Sequence, residues 1–417
     1  MSLLQLALKS LQARRLAASL TVFAVATSLA LIIVVETVRD GARQGFLNTI
    51  SSTDLIMGAR TGGVQLLLYS VFHLGNATNN ITWKSYQDIA AIKDVAWIVP
   101  ISLGDSHRGF RVVGTTPTFF QHYSHGQREH LEFSSGKRFS GLFDVVIGAA
   151  VAKELAYDVG TNLIVAHGLE SFVEHTGFPF QISGVLKATG TPVDRSVLVS
   201  LEAIEAIHTN MAALRSAPKG TTAGALFESV DLTPKAVTAA LIGVESKLGI
   251  FGVQRQINSY SEEPLTAILP GVTLSELYQI TTVAETALRV VLWAVIVASL
   301  LGMSAMLVAT LSARERELAI MRTIGAPPLH IVSLIMMEAL VLAALSAACA
   351  IVLANGLLLA AGPIIESRYG LALTDVGLMS SGSSILAVFL LLAPFAGLFP
   401  VFSAYRSALV TRLALKN

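Results

Sequence analysis

Charged side chains are scarce in this chain, so the places where they gather are where chemistry can be done. The run from Arg314 to Pro327, RERELAIMRTIGAP, sits between two long uncharged stretches. Glu315 and Glu317 fall early in a predicted helix, where the positive end of the helix dipole favours carboxylates. Leu318, Met321 and Ile324, with Ala319 and Ile320 beside them, give that helix an apolar side. Gly325 suits the position just past a helix end, and Pro327 with Pro328 prevents continuation. A short rigid lever of this kind, presenting Arg314, Glu315, Arg316, Glu317, Met321, Arg322, Gly325 and Ala326, is suited to gripping another protein. The competing reading is an ordinary loop whose charges only set topology.

Three further groups are candidates. Glu338 lies about two turns into an otherwise apolar run, and an ionisable residue inside a membrane span is a functional candidate by default. Contact with interfacial water or a neighbouring arginine is its structural alternative. His122, His125 and His130 crowd one polar stretch, and imidazoles at such spacing can bind a transition metal. No cysteine helps them and Glu129 is the only near carboxylate, so no metal site is assigned. Asp54 to Leu74 is unusually apolar for a loop near a span. Leu66, Leu67, Tyr69 and Phe72 either face a lipid or substrate cleft or belong to a packed core helix. No catalytic constellation is present: the spans hold no paired carboxylates, no His-Glu-x-x-His and no nucleophile elbow. Ser135-Gly136-Lys137-Arg138 imitates the end of a phosphate-cradling loop but lacks the earlier glycine. The chain is therefore expected to be no enzyme and to carry no cofactor of its own.

The elements that position these groups follow from composition. The 417 residues are 53% hydrophobic and 14% charged, with mean hydropathy +0.65, whereas soluble domains carry about 25% charged residues. Leu16 to Val35, Val290 to Ala313, Leu329 to Ile365 and the region within Val376 to Tyr405 are each long enough to cross about 30 Å of hydrocarbon. The fold class is thus a membrane protein with four transmembrane helices at 16–38, 286–312, 328–365 and 384–405. A large α+β extracytoplasmic domain, 39–285, lies between the first two spans. A short cytoplasmic helix is expected at 313–327 and a short outer loop at 366–383. Residues 1–15 read as an amphipathic cytoplasmic helix, and 406–417 as a cytoplasmic tail. Lys9, Arg14, Arg15, Arg314, Arg316, Arg322, Arg406, Arg412 and Lys416 put both termini and residues 313–327 inside. The first apolar run is longer than a cleaved signal's, so an uncleaved anchor is expected. A net charge of +1 without a dense basic patch argues against nucleic acid. The single Cys349 excludes disulfides.

Within the insert, Trp97 to Leu103, Gly109 to Val113, Asp144 to Gly148, Asn162 to Ala166, Phe180 to Leu186 and Ser196 to Leu201 read as strands. Ala149 to Tyr157 reads as helix. Ser216 to Ala223 is loop-like and marks an internal boundary. A helix from Pro234 to Leu248 and the polar stretch Gln254 to Pro264 are expected to form a second, smaller unit. Leu274 to Leu288 is expected to run as helix into the second span.

Arg314 to Ile331, RERELAIMRTIGAPPLHI, resembles the coupling-helix segment of FtsX-like permeases, the MacB and LolC/LolE type of ABC transporter. Gly114-Thr115-Thr116-Pro117, Gly136-Lys137-Arg138-Phe139, VVIGAAVAKEL from Val145 to Leu155, Val159-Gly160, ISGVL from Ile182 to Leu186, Thr191-Pro192-Val193-Asp194, Pro400 and Arg406 are similar to that family's motifs in the same order. The resemblance implies a permease of the bacterial cytoplasmic (inner) membrane. It implies a homodimer, or a pairing with a similar permease, above ABC ATPase subunits that hold ATP and Mg. It implies mechanotransmission: ATP-driven shifts of the spans move the outer domain, which handles an amphiphilic substrate. A periplasmic adaptor or lipoprotein and membrane lipids are the further partners. The FtsX branch offers the alternative, a non-transporting complex that regulates an extracytoplasmic partner such as a cell-wall hydrolase.

Overall fold

The computed structural model describes residues 3–49, 51, 53–126, 128–168, 179–209, 227, 231–311, 320, 323–325, 327–369 and 378–402. Most of Arg314 to Pro327, the stretch Ser216 to Ala223 and the tail from 403 lie outside these residues. By contacts the chain divides into two units, one of residues 1–42, 283–366 and 372–417 and one of residues 43–282 and 367–371.

Among the described residues the first unit holds four helices long and apolar enough to cross a membrane. Their candidate spans are Arg15–Gly41, Thr282–Thr310, Leu329–Ile365 and Gly382–Phe402, here called spans 1 to 4. The span 1 helix runs Arg15–Asn48 and the span 2 helix runs unbroken over Pro270–Leu311. Their packed faces carry many small residues, including Ala26, Ala30, Ala339, Ala343, Ala350 and Ala393, with Leu29, Ile33, Met303, Leu342 and Phe389 between them. Small side chains let helices approach closely where lipid offers no hydrophobic drive. The preceding helix Leu3–Ala13 buries Ala7 and Leu11 and leaves Leu4 and Leu8 exposed.

The second unit is built on one large sheet. We number its main strands β1 Leu55–Ala59, β2 Val95–His107, β3 Phe110–Thr115, β4 Phe133–Gly136, β5 Asp144–Ile147, β6 Phe180–Leu186, β7 Ser196–Ser200, β8 Ala239–Val244 and β9 Leu265–Ile268. Their spatial order is β9-β1-β8-β2-β3-β7-β5-β6-β4, with Ala166–His167 paired to β2 and Asn162–Leu163 to β6. β2 is shared. Its residues Val95 to Ile101 pair with β8, and Ser102 to His107 with β3.

Alternation sorts the sheet's two faces, because successive strand residues point to opposite sides. Ile56, Val99, Ile101, Val113, Val146, Leu198 and Leu241 pack in one continuous core with the helix Gly63–Ser70 and the short helix Phe119–His122. On the other face, Leu55, Met57, Ala240 and Ile242 pack with the helix Ile250–Asn258. Val112, Val145, Ile147, Val197 and Val199 pack with Ala149–Leu155 and Leu201–Thr209. Each such Val, Leu or Ile contributes about 1.5–3 kcal/mol by burial.

Two expectations are corrected here. Pro234 to Leu248 is not a helix. It holds the strand pair Ala236–Val237 with Ile81–Thr82, and then β8, hydrogen-bonded to both β1 and β2. Nor do the residues beyond Pro234 form a separate smaller unit, since β8 and β9 flank β1 in the main sheet.

Candidate functional site

Five residues of the Arg314 segment are described, Ile320, Thr323, Ile324, Gly325 and Pro327, and they show how it stops. Ile320 and Thr323 are helical, and Ile324 N–H donates to the Ile320 carbonyl at 3.1 Å. Gly325 then takes φ +95°, a left-handed conformation that costs other residues about 1–2 kcal/mol. Pro328 opens the span 3 helix, Pro328–Tyr369, where a missing N–H costs nothing. Ile320 is 58% and Ile324 81% exposed, one turn apart on the same side. Arg314, Glu315, Arg316, Glu317, Met321, Arg322 and Ala326 lie outside the described residues.

The chain just before this segment is tied to the N-terminal helix. Arg14 Nη1 donates to the carbonyl of Thr310 at 3.5 Å, close to the end of the span 2 helix, and Nη2 donates to Ser10 Oγ at 3.0 Å. A cation at a helix C-terminus meets the negative end of the dipole.

Glu338 is 1% exposed, on the face of span 3 that also buries Leu334, Ile335, Ala339 and Leu342. Two residues before Glu338, the span 4 backbone at Gly397 comes close enough that a Cβ there would sit 3.4 Å from Met336 Cα. Pro394 lies in the helix Leu378–Ala396, which ends just before Gly397. Two open grooves flank the bundle. One of about 680 Å³ between spans 2 and 4 is walled by Leu301, Val308, Phe395 and Phe399. One of about 510 Å³ between spans 1 and 2 is walled by Thr21, Ala24, Ser28, Ala298 and Gly302.

In the α+β unit the substrate-facing expectation for Leu66, Leu67, Tyr69 and Phe72 is corrected. They are 0%, 0%, 1% and 7% exposed and belong to the common core, where burial also pushes the Tyr69 phenol up to about 12. Strand β1 and the helix Gly63–Ser70 account for the apolar run. His122 stacks on Trp97 at 4.7 Å, and His125 and His130 lie on a small hairpin with Ser124 and Glu129. Among the described residues no group of three or more His, Cys, Asp or Glu is arranged to hold a metal ion.

The motif residues of this unit have steric and polar reasons. Gly148 follows β5, and a Cβ there would meet the carbonyl oxygens of Val193 and Asp194 at 2.3 Å. Gly136, at φ +72°, faces the Ser183 carbonyl with no room for a Cβ. The Asp194 carboxylate accepts from Thr189 N at 2.9 Å, Thr189 Oγ1 at 2.9 Å and Gly190 N at 2.8 Å, which closes the turn before β7. Burial raises its pKa while these donors oppose the rise.

A polar cluster with no sequence signal joins three distant segments. Arg111 of β3 is nearly enclosed and donates through Nη2 to Asn76 Oδ1 at 2.9 Å and to the Gly75 carbonyl. His73 Nδ1 lies 3.0 Å from Ser196 Oγ. Burial first, and the Arg111 charge second, hold the His73 imidazole down to about 4, so it is neutral near pH 7.

The MacB-like periplasmic core domain family matches residues 18–239, and the FtsX-like permease C-terminal family matches residues 289–409. Among solved structures the chain is similar to the periplasmic region of MacB from Actinobacillus actinomycetemcomitans. The two are 9% identical with a TM-score of 0.33, over 56% of this chain and 98% of that one. It is also similar to the extracellular domain of the noncanonic ABC-type transporter YknZ from Gram-positive bacteria. Those are 13% identical with a TM-score of 0.30, over 52% of this chain and 99% of that one. No curated protein matches the chain.

Proposed function

Because the chain belongs to the FtsX- and MacB-type family of ABC transporter permeases, we propose that it works by mechanotransmission. ATP hydrolysis on a separate ATPase subunit moves the α+β domain, which acts on an amphiphilic substrate outside the membrane. The permease works as a pair, with a second copy or a similar chain, above two ATPase subunits. Both termini and residues 313–327 face the cytoplasm, in line with the lysines and arginines of those flanks.

The observation that carries this reading is the exposed Ile320 and Ile324 pair ahead of the left-handed Gly325. Two exposed isoleucines one turn apart on one helix side suit the apolar face of a partner. The unbroken helix Pro270–Leu311, about 63 Å long at 1.5 Å per residue, supports the same reading. It begins two residues after β9 and ends three residues before Arg314.

The test is retention of the ATPase. Full-length chain purified in mild detergent should bring an ATPase with it, and Ile320→Glu with Ile324→Glu should release that subunit while leaving the elution volume of the permease unchanged. Reversal of Glu315 and Glu317 to lysine should uncouple hydrolysis from transport. Full ATPase retention and coupling in both variants would remove residues 313–327 from this role. ATP-dependent loss of a cargo from vesicles separates transport from regulation of an outer enzyme.

A further inference from the structure

We propose that a cavity between spans 1, 2 and 4 binds the head and glycerol region of a zwitterionic aminophospholipid of the bilayer. The cavity is about 190 Å³ and is lined by Glu36 of span 1, Arg289, Trp293 and Ile296 of span 2, and Ser384 and Ile385 of span 4. Glu36, Arg289 and Ser384 lie within about two turns of the span ends at Gly41, Thr282 and Gly382, with Trp293 and Ile296 about three and four turns in. The charged groups therefore fall near the boundary between headgroups and hydrocarbon and the apolar wall lies below them.

The chemistry of the wall is two-signed. Glu36 is 7% exposed and its carboxylate is fixed by Arg39, one turn on, with Nη2 2.6 Å from Oε2 and Nη1 3.1 Å from Oε1. Arg39 also reaches Asp40 at 3.3 Å, and of these three side chains only Glu36 lines the cavity. Arg289 is its counterpart. Its side chain is 65% exposed and its ion pair with Glu285 is loose at 3.9 Å. A guanidinium presents a fork that matches a phosphodiester, while the Glu36 carboxylate suits an ammonium. One turn below Arg289, Trp293 supplies an indole, and Ile296 and Ile385 are walls for the first methylenes.

Size limits the occupant. At about 30 Å³ per water, the space equals roughly six waters, far below a two-chain lipid. It holds a phosphoethanolamine head and glycerol, with the chains running along the outside of the bundle. A lipid with phosphate but no ammonium leaves Glu36 facing an uncompensated anion.

The experiment is native mass spectrometry of the full chain in detergent, titrated with dioleoyl phosphatidylethanolamine or dioleoyl phosphatidylglycerol. One molecule of phosphatidylethanolamine should be retained per chain, favoured over phosphatidylglycerol by about fivefold, the scale of a half-exposed ion pair. Arg289→Ala, at an exposed position that does not threaten the fold, should lower retention of both lipids about tenfold. Glu36→Gln should erase the preference between them. Val388→Trp fills the cavity and should expel the lipid, while Leu391→Trp on the lipid-exposed side should not. Equal retention of the two lipids by the native chain, or undiminished retention in Arg289→Ala, overturns the assignment.

Discussion

Replacement of His73 by asparagine is expected to make the α+β domain markedly more resistant to acid. His73 sits at φ +54°, a conformation that asparagine tolerates better than most residues, and an asparagine amide can take the place of Nδ1 beside Ser196 Oγ. In the folded chain the imidazole titrates near 4 instead of the ordinary 6.5. Below pH 6.5 the unfolded chain therefore takes up a proton that the folded chain refuses. Stability falls as pH drops through this window and levels off below 4. A gap of 2.5 units (6.5 minus 4) at 1.36 kcal/mol per unit amounts to about 3 kcal/mol, a ceiling because the ring keeps some solvent contact. The readout is amide hydrogen exchange of peptides covering Ser196 to Ser200 in the full-length protein between pH 7.5 and 4.5, corrected for intrinsic rates. Native protection should fall more than that of His73→Asn by on the order of 2 kcal/mol, about thirtyfold. Other acidic and basic groups titrate alike in the two proteins and cancel. Parallel loss of protection in both would refute the burial argument.

Two further substitutions test the turns that frame β5 and β7. Asp194→Ala leaves the donors of Thr189 and Gly190 without their acceptor and should cost on the order of 3 kcal/mol, read as a lower unfolding midpoint of the full chain, with Asp194→Asn milder. Gly148→Ala pushes a methyl against two backbone carbonyls that cannot rotate away and should cost about 3 kcal/mol, visible as faster proteolysis between β5 and β7.

Much of the architecture was legible because its signals are local. The uncharged runs marked the four candidate spans, and Phe180 to Leu186, alternating over its first four residues, forms a strand with those same ends. β8 was misread for a physical reason. Both of its faces are buried, so Ala239 to Val244 is apolar without alternation, and periodicity then does not separate a strand from a buried helix. Its partners β1 and β2 lie far away in sequence. The core helix was one of the two readings open for Leu66 to Phe72, whereas the Arg111, His73 and Ser196 cluster was hidden, since a shared location comes only from the assembled sheet. Gly148 and Asp194 were visible as motif letters, but their reasons appear only where β5 meets the turn before β7. Glu36 and Arg289 look like routine flank charges until spans 1, 2 and 4 bring them to one cavity.

The placement of β1 bears on how this polypeptide matures. Its two hydrogen-bonding neighbours, β8 and β9, begin 180 and 206 residues after its last residue (239 and 265 minus 59). Until they arrive, Leu55 to Ala59 waits with two open backbone edges, the kind of segment that recruits stray strands. Nascent chains halted before Ile268 should thus be sticky and chaperone-dependent, and a polypeptide truncated anywhere short of that strand should aggregate instead of yielding a smaller working body.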